Sequence, residues 1–141
     1  MQTFDKKSKQ EIIDAIIEAE KMTSGEVRVH IQSKCTGDVF EHGKKIFQKL
    51  KMNKTKDRNG ILIIVAKDSK KFAILGDKGI HEKVGDDFWN ETRDKMIKHF
   101  KEDKLKEGIV TGVLSVGEKL KQHFPYEKDD KNELSNDVSE D

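Results

Sequence analysis

The chain is poor in the residues that mark disulfide-rich, membrane-spanning and nucleic-acid-binding proteins. Its 141 residues include one cysteine and one proline, and aromatic residues make up only 6%. The single Cys35 excludes an internal disulfide framework and a multi-cysteine zinc site. The longest uninterrupted apolar run, Ile61 to Ala66, falls far short of the ~20 residues that cross a bilayer. Few aromatic rings are available for base stacking, so no strong nucleic-acid signal is present.

The N-terminal residues also lack the features of a secretory signal. Residues 1–7 lead directly into an amphipathic charged segment, with no apolar stretch and no small-residue cleavage site. We therefore expect a cytoplasmic protein without a membrane span. The length favours one domain over two, and we expect a monomer.

Charge is distributed unevenly along the chain. Residues 125–141 contain two lysines and seven acids and carry a net charge of −5, whereas residues 1–124 carry +6. The C-terminal stretch has almost nothing to bury and follows the only proline, Pro125. We therefore predict a folded domain over residues 1–124 and an acidic, disordered tail over residues 125–141. The lysines of the domain are interleaved with acids, which favours screening by the chain's own charges over binding to nucleic acid.

Hydrophobic periodicity predicts four main helices, a short helical piece and three strands. In chain order these are a helix over Asp5–Lys21, a strand over Val27–Ile31, a helix over Asp38–Leu50, a strand over Ile61–Val65, a strand over Lys71–Leu75, a short helical piece ending near Gly85, a helix carrying Trp89, Met96, Ile97 and Phe100, and a helix over Leu105–Leu120.

This order predicts an α/β/α sandwich with a small mixed sheet and helices on both faces. Ile61–Val65 is apolar at every position, as expected of a central strand buried on both faces. The strand–helix–strand unit places Val27–Ile31 parallel to it, and the hairpin places Phe72–Leu75 antiparallel on its other side. Because Val27–Ile31 is apolar on one face only, we expect its polar face to remain partly open.

Four acidic residues are candidate ligands of a divalent cation. Asp77 follows the third strand at a glycine-flanked turn, Asp86 and Asp87 stand at the start of a predicted helix, and Glu26 begins the first strand. Oxygen ligands of this kind suit Ca²⁺ or Mg²⁺. Ordinary structural roles compete with this interpretation, since aspartate is common both at helix N-caps and in turns.

Five short segments resemble the TPM domain family, which takes in a thylakoid lumen protein, Psb32 and MOLO-1 proteins. The matching segments cover about residues 4–124, in the order and spacing of the family, and the chain is most similar to the small, stand-alone bacterial members. The segments are Thr23-Ser24-Gly25-Glu26-Val27-Arg28-Val29, Arg58-Asn59-Gly60-Ile61-Leu62-Ile63-Ile64-Val65, Ile74-Leu75-Gly76-Asp77-Lys78-Gly79-Ile80, Asp86-Asp87-Phe88-Trp89 and Glu107-Gly108-Ile109-Val110-Thr111-Gly112-Val113.

The resemblance implies an α/β/α sandwich with a cleft at one edge of its sheet, where members bind divalent metals. It implies Glu26, Asp77 and either Asp86 or Asp87 as cleft residues. An acid-phosphatase activity in the plant lumenal member and accessory roles beside membrane complexes are further family properties. Better-known members generally carry a signal peptide and often a membrane anchor, so their membrane roles do not transfer to this chain.

Three functional hypotheses follow, and they leave open whether the chain is an enzyme. The first is an accessory domain that binds Ca²⁺ or Mg²⁺. The second is a metal-assisted phosphoester hydrolase, in which Asp77 and Asp87 would hold the metal and Arg28 or Arg58 the phosphate. The third, which ranks last, is an interaction module that uses the lysine-rich region 44–58 against an acidic partner, such as another protein or nucleic acid.

Overall fold

A computed structural model describes residues 5–85, 87–126 and 134–140. Within these residues, a four-stranded mixed sheet with the order β3-β2-β1-β4 carries helices on both faces. The predicted α/β/α sandwich is therefore confirmed. In chain order the elements are α1 (Lys6–Glu20), β1 (Glu26–Gln32), α2 (Val39–Lys49), β2 (Gly60–Ala66), β3 (Lys71–Gly76), α3 (Lys78–Val84), α4 (Asn90–Lys101), α5 (Leu105–Leu120) and β4 (Ser139–Glu140), with short 3₁₀ turns at Met52–Lys54 and Asp87–Trp89.

The central pairing of the sheet follows the predicted pattern. β1 and β2 run parallel with Val27 opposite Ile61. β2 and β3 run antiparallel, with Leu62 opposite Leu75. All seven residues of β2 are buried, because β2 has strands on both sides and helices over both faces.

Two hydrophobic clusters lie on opposite faces of the sheet, and β2 contributes to both. The larger cluster combines Ile61 and Ile63 of β2 with the buried sides of α1, α4 and α5. The smaller one combines Leu62 and Ile64 with α2 and Met52. The alternation of side chains along a strand thus ties both helical layers to one element.

The polar face of β1 is more buried than expected, and only Arg28 on it keeps intermediate exposure. Glu26 is 5% exposed and His30 is 1% exposed. α2 covers one end of this face, where His42 bonds to Gln32. The other cover is a C-terminal segment that returns to the sheet.

This segment, residues 134–140, is called the strap below. Leu134 is buried in the smaller cluster, Val138 packs against the larger one, and Ser139–Glu140 form β4 parallel to β1. The strap therefore differs from the solvated tail that its acidic composition suggested, because its two apolar residues each reach a core cluster. Residues 127–133 and 141 of the predicted tail lie outside the described residues.

The region before α4 also differs from prediction in its details. Asp87 begins a 3₁₀ turn, and the N-cap position of α4 is Trp89, which makes no side-chain capping bond. Asp87 is therefore not the predicted cap of this helix, and Asp86 lies outside the described residues. Within the described part of the chain, no helix is both long enough and apolar enough to cross a membrane.

Candidate functional site

The sheet places Glu26 and Asp77 at the same end and on the same face. Glu26 pairs with Gly60 across β1 and β2, and the Asp77 amide donates to the Gly60 carbonyl at 2.9 Å. Since paired residues direct their side chains to one face, Glu26, Gly60 and Asp77 form a row, called the acidic row below. It lies at the amino end of the parallel strands and at the carboxyl end of β3.

The spacing within the acidic row is compatible with one bridging cation. Two strand spacings separate the Glu26 and Asp77 backbones by roughly 10 Å. Gly60, between them, has no side chain. A glutamate and an aspartate together can span that distance around an ion about 2.4 Å from each carboxylate oxygen.

Both carboxylates nevertheless have protein partners already. The Asp77 oxygens accept from Arg58 Nε at 2.7 Å and Nη2 at 2.9 Å, and Oδ1 also accepts from the Lys78 amide at the start of α3. Glu26 Oε1 accepts from the Leu134 amide at 2.8 Å. The hydrogen bond and charge of Asp77 raise the pKa of Arg58. Arg58 therefore contacts Asp77, whereas the hydrolase hypothesis offered Arg58, or alternatively Arg28, as the contact to a phosphate.

The space above Gly60 is also filled. A Cβ built on Gly60 would lie 3.3 Å from the Met52 carbonyl oxygen and 3.6 Å from both the Met52 Cε and the Leu134 Cδ1. With the strap in place, the acidic row therefore does not fit a cation, and neither carboxylate can reach one without exchanging a partner.

The other predicted ligands lie apart from the acidic row. Asp87 is exposed and follows the C-terminal end of α3, whereas Asp77 caps its start. Seven helical residues separate them, a rise of about 10 Å. Asp86 stays a prediction outside the described residues. In residues 5–85, 87–126 and 134–140, no three His, Cys, Asp or Glu side chains are grouped so as to hold a metal ion.

Glu20, which was not predicted, belongs to the same end of the sheet. Its Oε2 accepts from the Val27 amide at 3.1 Å, at the start of β1. Burial raises the pKa of Glu20 to about 7, the bond from Val27 opposes the shift, and the charge of Glu26 adds to it. The sequence held no local signal for this pairing, because it depends on how the end of α1 packs beside β1.

A second polar cluster lies at the opposite end of β1. His30 Nε2 and His42 Nε2 each lie 3.0 Å from Gln32 Oε1, and the Gln32 amide donates to the Lys34 carbonyl. Both Nε2 atoms must therefore carry protons. His30 Nδ1 lies 2.9 Å from Ser139 Oγ and can accept from it. These bonds fix the tautomers and join α2, β1 and the strap.

The chain matches a family model and is similar to solved structures. The family model of the TPM domain matches residues 1–119. The chain is similar to the BA42 protein of the psychrophilic bacterium Bizionia argentinensis, with 44% identity and a TM-score of 0.93, over 99% of this chain and 97% of that one. No curated protein matches the chain.

Two more distant solved structures share the fold. The N-terminal domain of a protein from P. gingivalis has 20% identity and a TM-score of 0.70, covering 87% of this chain and 80% of that one. The N-terminal domain of the cg2496 protein from Corynebacterium glutamicum has 12% identity and a TM-score of 0.66, covering 99% and 82%.

Proposed function

Since the chain belongs to the TPM domain family, we propose that it is an accessory, non-catalytic domain that binds Ca²⁺ or Mg²⁺ at the acidic row. The observation that carries this proposal is the placement of Glu26 and Asp77 on one face and at one end of the sheet, on either side of Gly60. The Glu20 carboxyl lies beside Glu26 at the same end, and it adds negative charge only when the pH exceeds its pKa of about 7.

Such a site would be weak, because it offers few carboxylates. Hard divalent cations take six or more oxygen ligands, and sites with few protein ligands retain several waters. The ion would have to displace the Leu134 side chain from the space above Gly60. It would also compete with the Leu134 amide for Glu26 and with the Arg58 guanidinium for Asp77. We therefore expect affinity in the millimolar range that is typical of the weakest protein Ca²⁺ sites.

A titration followed by amide NMR tests the site. We expect millimolar Ca²⁺ to shift the Glu26, Gly60 and Asp77 amides, and Glu26→Gln or Asp77→Asn to weaken that response several-fold. Asp94→Asn is the control, since it removes an exposed acid on α4, remote from the acidic row. The absence of shifts, or shifts confined to the acidic C-terminal residues, would contradict the proposal.

A phosphoester hydrolase is the second candidate, and one observation favours it. Arg28 Nε is buried and has no hydrogen-bond partner among the described residues, and Arg28 follows Glu26 on the same face of β1. A guanidinium nitrogen in this position suits an anionic oxygen. Hydrolysis of p-nitrophenyl phosphate that requires added metal and falls sharply in Arg28→Lys and Asp77→Asn would support it. Activity that survives Asp77→Asn at full rate would come from another site or a contaminant.

The cytoplasmic location, the monomeric state and a protein partner stay predictions of the sequence. The location is tested by cell fractionation and the monomeric state by light scattering. Pull-down with the purified chain tests for a partner.

A further inference from the structure

A cleft of about 720 Å³ opens to solvent between α1, α4 and α5. Its apolar walls are formed by Met22, Phe88 and Leu114, which are all half-buried. Phe88 and Leu114 also pack against the larger hydrophobic cluster, so the core holds these walls in place. The volume lies within the range of roughly 300–1,000 Å³ that is typical of small-molecule sites. The cleft is therefore large enough to receive an organic ligand.

The helices α1 and α5 both end at this cleft. Near their C-terminal ends, Gly117 of α5 lies against Ala19 of α1, and near their N-terminal ends Lys106 pairs with Glu11 at 3.0 Å. The two helices therefore run side by side in the same direction. The last carbonyl groups of a helix carry a partial negative charge. Two such ends lie together beside the cleft.

Two exposed acids in the last turns of these helices line the cleft. They are Glu18 on α1 and Glu118 on α5. The helix dipole favours cations over acids at this end. Each acid has a lysine three residues along the helix, Lys21 at 3.9 Å and Lys121 at 3.4 Å, and exposed pairs of this kind are weak. The negative charge of this wall is therefore only loosely compensated.

The wall formed by the start of α4 has the opposite character. Glu91 contacts both Lys95 and Lys119 at 3.2 Å, and Lys119 Nζ also lies 5.5 Å from the centroid of the Phe88 ring. These lysines already have an acidic partner. The charged side chains that line the cleft are three acids and two lysines, so one negative charge is in excess, and it lies on the side of α1 and α5.

We propose that the cleft binds an aliphatic diamine or polyamine. Its ammonium groups would contact Glu18 and Glu118, and its methylene chain would lie against Met22 and Leu114. Ammonium groups donate strong hydrogen bonds to carboxylates, and the methylene groups gain by leaving water. The axes of packed helices are about 8–10 Å apart, so a chain of several methylene groups can join the two carboxylates.

This cleft and the acidic row lie on opposite faces of the sheet. The helices α1, α4 and α5 cover the face of the larger cluster, whereas Gly60 of the acidic row contacts Met52 and Leu134, which belong to the smaller cluster. Binding of a diamine is therefore independent of the proposed Ca²⁺ or Mg²⁺ site, and each can be tested without the other.

A titration of the full chain with hexamethylenediamine at constant ionic strength, followed by amide NMR, tests the proposal. We expect the Glu18, Leu114 and Glu118 amides to shift. Glu18→Gln and Glu118→Gln should each weaken binding by up to about fivefold, the range of an exposed ion pair, and the double variant more than either. Both sites are exposed on the helix surface, so the fold should be retained.

Glu41→Gln is the matched control for these variants. Glu41 is also exposed and also pairs with a lysine three residues along its helix, Lys44 at 3.1 Å, but it lies on α2, on the other side of the sheet. Its substitution should leave the affinity for the diamine unchanged. Hexamethylene glycol, which has the same chain with hydroxyl groups in place of the ammonium groups, is the control ligand and should bind at least fivefold more weakly.

Three results would overturn the proposal. Equal affinity for the diamine and the glycol would show that the cleft does not recognise charge. Equal affinity of the unmodified chain and the double variant for the diamine would remove Glu18 and Glu118 from the site. Shifts confined to the acidic C-terminal residues would show that the diamine is attracted to those residues and not to the cleft.

Discussion

The fold changes the protonation of Glu20. Its folded-state pKa of about 7 lies above the ordinary value of 4.5, chiefly because of burial. The unfolded chain therefore loses this proton at lower pH than the folded chain. Stability should fall as the pH rises from about 4.5 to about 7 and then level off.

The Glu20→Gln variant should remove this fall in stability with rising pH. An amide oxygen can still accept from the Val27 amide, but it carries no charge to bury beside Glu26. We expect the variant to be more stable by about 1 to 2 kcal/mol at pH 8 and nearly unchanged at pH 4; solvent screening keeps the gain below the full value of the shift. Chemical denaturation at both pH values measures it. Glu18→Gln, an exposed substitution on the same helix, is the control, and parallel pH curves for E20Q and the unmodified chain would contradict the assignment.

For Asp77, the sequence predicted the turn but not the side chain that contacts it. Its position after β3 and beside glycines indicated a special turn, and the structure places it at the start of α3. Its bidentate bond to Arg58 joins residues 19 apart in sequence. No sequence motif indicates this contact. Charged residues make up 39% of the chain. The sequence therefore offers too many possible ion pairs for the pairing of Arg58 with Asp77 to be predicted.

At the scale of elements, α3 begins in unusually close contact with the loop before β2. A Cβ on Gly79 would lie 2.5 Å from the Asp57 carbonyl oxygen and 2.7 Å from that of Arg58, and the Gly79 amide donates to the same Arg58 carbonyl at 3.0 Å. Backbone atoms cannot move aside as a flexible side chain can. Only glycine therefore fits here.

We expect Gly79→Ala to destabilise the chain by about 1 to 3 kcal/mol, the usual cost of overpacking. It should also shift the Arg58 and Asp77 amide resonances, because the loop and α3 must separate. Urea denaturation and amide NMR measure the two effects. Lys78→Ala, at the exposed neighbouring position, should leave the Arg58 amide unmoved, and an equally stable G79A would show that the loop yields freely.

Strands with several apolar residues could be predicted from the sequence, whereas the short polar strand β4 could not. The continuous run Ile61–Val65 predicted a doubly covered strand. The alternation in Val27–Ile31 predicted a second strand, and the strand–helix–strand order predicted that the two run parallel; these predictions are confirmed. β4 contains only Ser139–Glu140, which have no apolar alternation. Its presence depends on tertiary contacts of Leu134 and Val138, so the buried polar face of β1 could not be predicted either.

At the scale of the whole molecule, β2 joins the two hydrophobic clusters. Leu62 lies in the smaller cluster and Trp89 in the larger one. We therefore expect both faces to unfold in one cooperative transition. Leu62→Ala should destabilise the chain by about 2 to 5 kcal/mol and shift the Trp89 fluorescence transition as much as the circular dichroism transition.

Trp89 suits this measurement, since it is the one tryptophan of the chain and is 4% exposed. Ile17→Ala is the control, because it truncates an exposed aliphatic side chain of α1 and should move neither transition much. If L62A shifted the dichroism transition alone, the two helical layers would unfold separately.

The bond between His30 and Ser139 has a consequence for the order of folding. It joins residues 109 positions apart, so closing this loop costs more chain entropy than pairing β2 with β3 in a hairpin. Contacts between distant segments form late when little local structure supports them. We therefore expect the hairpin and the β1–β2 pair to assemble first and β4 to dock last, on an edge of β1 that is already in place.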